Sequence, residues 1–181
     1  MTRIATIETA TANDEQKALL DAIHGQLGMV PNFLKIFANS PVALRAFLGL
    51  HGVANGGTLD APTRERIALA LAQQNGCQYC VSAHTAIGRK AGLTGDEMTA
   101  ARGGASEDAQ AAVAVKFAQS LMEKKGEVSS LELAEIRGAG YSESDIVEII
   151  THVGMNFLTN ILAKASRVEI DFPKVELKIA A

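Results

Sequence analysis

Helix-opening signatures recur along the whole chain and leave little room for strands. Asn13-Asp14 precedes Leu19, Ala22, Ile23 and Leu27, apolar positions at helical spacing, and Gly28 closes the run before Pro31. Phe33–Phe37 is a short apolar stretch in the connection that follows. Ser40-Pro41 and Asp60-Ala61-Pro62 each set proline just inside a helix start, where its missing N–H costs nothing. Thr94 and Ser106 read as later caps, and the segment from Asp108 to Lys125 reads as a long helix closed by Gly126. Ser129-x-x-Glu132 and Ser142-x-x-Asp145 are capping boxes, the second opening a last helix from Glu143 to about Lys164. These signals predict a single compact all-α domain over residues 1–181, with roughly seven to nine helices. The end of the chain, 168–181, contains Pro173 and reads as an extended arm, with a partner subunit as one place for it to dock.

Composition agrees with helix packing. Aromatic residues are 4% of the chain and tryptophan is absent, so helices meet through alanine and aliphatic side chains. Seventeen basic and twenty acidic residues give a net charge of −3, and basic runs stop at pairs such as Lys124-Lys125. That balance offers nothing to nucleic acid or an anionic membrane surface. No run reads as the roughly 20 apolar residues of a membrane span, and the first residues lack a signal-peptide core. The expected location is the cytoplasm. In a reducing compartment, two cysteines three residues apart point to catalysis or metal binding rather than to structure.

Those cysteines follow a segment, Thr63–Ala72, that is apolar on most faces after its first turn and is predicted to be buried. It stops near Asn75-Gly76, and Cys77 then opens the next helix. A helix start presents free N–H groups and partial positive charge, both of which favour thiolate. A thiol of ordinary pKa about 8.5 is a few per cent thiolate at neutral pH, and thiolate is the nucleophile. The Cys77-x-x-Cys80 spacing puts both sulfurs within reach of one disulfide. His84, one helical turn beyond Cys80, lies on the same face and can take the thiol proton. Glu65, in the first turns of the preceding helix, would orient that imidazole if the two helices bring them together, or would pair with Arg64 or Arg66. Two competing readings are inert core residues, and zinc, for which two cysteines and His84 still need a fourth ligand.

Glu65-x11-Cys77-x2-Cys80-x3-His84 resembles the motif of the alkylhydroperoxidase D family, within the carboxymuconolactone decarboxylase-like superfamily, most clearly over residues 60–93. The resemblance implies an all-α fold assembling as a homo-trimer or homo-hexamer. It implies that Cys80 attacks a hydroperoxide, that Cys77 resolves the sulfenic acid to a disulfide, and that Glu65 and His84 relay the proton. A dithiol donor would regenerate the pair, with no metal and no cofactor. Tyr79 stands where the family's characterised member has a histidine, which suggests a peroxidase-related branch. The expected function is thiol-dependent reduction of organic hydroperoxides. A dithiol–disulfide oxidoreductase or redox sensor is an alternative, as is a decarboxylase-like enzyme, although lactone decarboxylation has no use for a thiol pair.

One further pattern stands out. His152, Asn156 and Asn160 form a polar line within the apolar last helix, flanked by Ile149, Val153, Phe157 and Ile161. Four-residue spacing puts the three on one face, either as a hydrogen-bond network between helices or subunits or as a border of the pocket above Cys80.

Overall fold

The computed structural model describes residues 2–178, and among these every regular element is a helix. Nine are present: α1 Asp14–Leu27, α2 Asn32–Phe37, α3 Pro41–Ala54, α4 Ala61–Gln74, α5 Gln78–Lys90, α6 Gly95–Arg102, α7 Ala109–Glu123, α8 Ser130–Gly138 and α9 Glu143–Ser166. The expected caps do their work. Asn13 forms a capping box with Gln16, Asp60 Oδ1 accepts from the Thr63 N–H at 2.6 Å, and Ser129 and Ser142 form boxes with Glu132 and Asp145. Each such cap is worth about 1 kcal/mol.

Three local readings change. Phe33–Phe37 folds as the short helix α2, because Phe33, Leu34, Ile36 and Phe37 find apolar neighbours on α1, α3 and α5. Asp108, not Ser106, caps α7, accepting from the Gln110 and Ala111 N–H groups. Ser106 instead donates to the buried carboxylate of Glu97, which also binds Arg66. The last helix runs two residues further, to Ser166, and is long and apolar enough to cross a membrane. Here it packs against α3, α4, α5 and α7 and buries the His152–Asn156–Asn160 line.

Helix α4 is the centre of the fold, touching α5, α6, α7 and α9. Ile67 through Ala72 are all buried, as the sequence predicts. One core joins α4 to α7, α8 and α9, and a second gathers α1, α2 and α3 around Leu20, Leu44 and Phe47, with Met155 of α9. A third surrounds the start of α5 and includes Ile170, Phe172, Val175 and Leu177.

That third core relocates the arm. It is extended, but 168–178 docks on its own chain; residues 179–181 lie outside the described residues. The Val175 N–H donates to Ser82 Oγ at 3.0 Å, Gln78 Nε2 donates to Glu176 Oε2 at 2.7 Å, and Arg102 Nη2 donates to the Glu176 carbonyl at 2.6 Å. Polar side chains along α5 and α6 satisfy the arm's backbone while its alternate apolar residues cover the Cys77–Cys80 turn.

Candidate active site

Helix α4 ends at Asn75, and Gly76 turns the chain with φ +62°, a left-handed conformation that glycine adopts without steric cost. Cys77 is therefore the N-cap of α5, and its Sγ accepts from the Cys80 N–H at 3.3 Å. The two sulfurs are joined as a disulfide, with Cα atoms 5.3 Å apart. Both are buried, Cys77 to 1% and Cys80 to 4% exposure. Their surroundings differ: Cys80 lines a cavity of about 250 Å³, whereas Cys77 faces the core beneath the arm.

Glu65 and His84 meet across the α4–α5 contact. His84 Nδ1 donates to Glu65 Oε2 at 2.8 Å, and both side chains are largely shielded from solvent. Both also line the cavity that holds Cys80. With Nδ1 committed to the carboxylate, Nε2 is the nitrogen left to accept a proton. The structure thus brings together all four predicted residues, Glu65, Cys77, Cys80 and His84, and the 2.8 Å contact decides between the two sequence readings of Glu65. Arg66 pairs with Glu97 instead, and Arg64 donates to the Leu59 carbonyl. Among the described residues no group of three or more His, Cys, Asp or Glu is placed to hold a metal ion.

Tyr79 lies in the aromatic wall of the cavity. Its ring meets Phe172 edge-on at 5.8 Å, and its hydroxyl accepts from the Phe33 N–H at 3.3 Å. Burial, reinforced by Asp171, pushes the phenol far above its usual range, so it stays protonated and takes no part as a base. The polar line of α9 divides. Asn160 accepts from Asn75 Nδ2 at 2.9 Å in a purely structural link between helices. His152 and Asn156 border the cavity, but they are also bonded internally, His152 Nε2 to the Ala54 carbonyl and Asn156 Nδ2 to the His152 carbonyl. Both sequence readings of the line therefore hold for part of it.

Sequence reading gives no site role to His51 and Asn55, which α3 brings to the cavity wall. No local pattern marks them. Only the packing of α3 on α9 carries this end of the helix to the cavity.

The sequence model of the carboxymuconolactone decarboxylase family matches residues 41–123, from the start of α3 to the end of α7. That central segment is similar to the carboxymuconolactone decarboxylase family. Solved structures share the fold across nearly the whole chain. An uncharacterized peroxidase-related protein from Silicibacter sp. TM1040 is 26% identical, with a TM-score of 0.81 over 93% of this chain and 91% of that one. A peroxidase-related protein with an alkylhydroperoxidase AhpD core, from Ralstonia eutropha JMP134, reaches 0.85 at 23% identity, over 94% of this chain and 92% of that one. The debrominase Bmp8, seen with 2,3,4-tribromopyrrole, shares the fold at 18% identity and TM-score 0.77, over 94% and 92%. Among curated proteins, none matches.

Within this fold the two cysteines differ in access, and that difference is measurable. In the reduced protein, limiting iodoacetamide should alkylate Cys80 at least about tenfold faster than Cys77, because thiolate and access must coincide. Peptide mapping by mass spectrometry reads the ratio, and faster labelling of Cys77 would contradict the placement.

Proposed function

We propose that the protein is a thiol peroxidase that reduces organic hydroperoxides to alcohols. The observation that carries this reading is the convergence of Cys80, His84 and Glu65 on one cavity, with Cys77 within disulfide reach behind it. The reduced Cys80 thiol gives its proton to His84, which Glu65 holds in the accepting tautomer. The sulfur attacks the terminal peroxide oxygen, the O–O bond breaks, and the leaving oxygen takes a proton to become the alcohol. Cys80 is then a sulfenic acid. Cys77 attacks it, releasing water and forming the disulfide. A dithiol donor exchanges with that disulfide and restores both thiols.

The cavity favours an apolar substrate body, since Phe33, Phe47, Leu34 and Met155 line it. Burial of both sulfurs weighs against exchange with a protein disulfide, which needs an exposed sulfur, and calls for a regenerating dithiol small enough to enter the cavity. Turnover of cumene hydroperoxide with dithiothreitol as donor tests the proposal. Cys80→Ser should abolish it, and Cys77→Ser should accumulate a sulfenic acid that dimedone traps. Retained turnover in Cys80→Ser, or turnover of a brominated pyrrole in place of the hydroperoxide, would reject the reading.

We propose that the working unit is a homo-oligomer. Val147, Ile150, Phe157, Leu158 and Ile161 form an exposed apolar stripe along α9, continued by Leu50 and Val53 of the adjoining α3. A contiguous apolar patch of this kind marks an interaction surface. Light scattering should give three or six copies for the wild type and a smaller species for Phe157→Glu. A monomeric wild type would contradict the assembly.

A further inference from the structure

Three histidines from three helices line the cavity around Cys80: His51, His84 and His152. Two are committed to acceptors, His84 to Glu65 and His152 to the Ala54 carbonyl. His152 is also buried. His51 differs. Its ring nitrogens lie 3.0 Å (Nε2) and 3.2 Å (Nδ1) from the side-chain amide nitrogen of Asn55. An amide N–H only donates, so the ring nitrogen it meets accepts, and the proton of a neutral imidazole sits on the other nitrogen. The Asn55 contact thus leaves His51 one ring N–H not used by that pairing. The ring rests against Phe47, with centroids 5.7 Å apart, which restricts its orientation. Desolvation of the ring where it lines the cavity lowers its pKa, as does the charge of His84, with Glu65 opposing and Arg64 adding to the effect, while the residue keeps an exposed surface. The neutral, donating ring is therefore the favoured form at pH 7.

We propose that His51 is a second catalytic group of the peroxide reaction, its ring N–H donating a hydrogen bond to the leaving oxygen as Cys80 attacks. The inference rests on the thiol-peroxidase reading. The step balances without a further reactant. The Cys80 thiol proton passes to His84, and the sulfur forms a bond to the terminal oxygen. The O–O pair moves onto the alkoxide oxygen, which takes the proton from His84 and departs as alcohol. Cys80 is oxidised to the sulfenic acid and the hydroperoxide is reduced. His51 stays neutral throughout and stabilises the charge that develops on the leaving oxygen, as a preorganised donor does in an oxyanion hole.

Two reactions of reduced Cys80 separate this role from a structural one. Oxidation by cumene hydroperoxide expels an alkoxide and needs a donor. Alkylation by iodoacetamide expels iodide and needs none. His51→Phe keeps the packing on Phe47 but removes the donor, and His51→Gln keeps a donor. His51→Phe should slow oxidation at least about tenfold while leaving alkylation within about twofold of wild type. His51→Gln should recover part of the lost oxidation rate, whereas His84→Ala should slow both reactions. Equal losses in both reactions for His51→Phe, no loss in oxidation, or His51→Gln no faster than His51→Phe would overturn the proposal. A wild type that alkylates normally but does not react with the hydroperoxide would instead overturn the peroxidase reading, and this role with it.

Discussion

The packing of α4 against α5 is the contact on which the site depends. Ile67 to Ala72 are buried without a break, and Ala68, Ala70 and Ala72 let neighbouring helices approach closely. At one end of this contact Glu65 reaches His84; at the other the chain reverses at Gly76 and places Cys77 on the N-cap of the returning helix. The carboxylate, the imidazole and the disulfide are therefore positions on one rigid helix pair. Precise proton transfer needs such rigidity, because flexible loops hold catalytic geometry less well.

The same helix pair makes its two sulfurs unequal. Helix α5 turns Cys80 toward the cavity and Cys77 toward the core under the arm. One sulfur faces the cavity and the other lies behind it, as the proposed two-cysteine cycle requires. Tyr79, between them in sequence, contributes shape: protonated and wedged among Phe33 and Phe172, it forms part of the aromatic wall and does not act as a base.

Much of this was legible in the sequence, because the informative signals were local. Caps such as Asn13, Asp60, Ser129 and Ser142 act within one helical turn, and Cys77, Cys80 and His84 are fixed by helical spacing alone. The Glu65 contact depends on how two helices pack, and there the family resemblance supplied what spacing does not contain. Ser106 was misread because a distant carboxylate, Glu97, competes for its hydroxyl. The arm was recognised as extended, but its docking partners, Gln73, Gln78, Ser82 and Arg102, lie about a hundred residues away or on another helix. His51 carries no sequence signal, since only tertiary packing brings the end of α3 to the cavity that Cys80 lines.

The central claim is that Cys77 and Cys80 convert one hydroperoxide to one alcohol while the Glu65–His84 pair moves the proton. Titrating the reduced protein with cumene hydroperoxide, with no donor present, tests it most directly. One equivalent should yield one Cys77–Cys80 disulfide and one equivalent of alcohol. In single-turnover experiments Glu65→Gln should slow that oxidation by about a hundredfold, as loss of general base assistance does. Thiols that survive excess hydroperoxide, or an oxidation rate unchanged in Glu65→Gln, would contradict it.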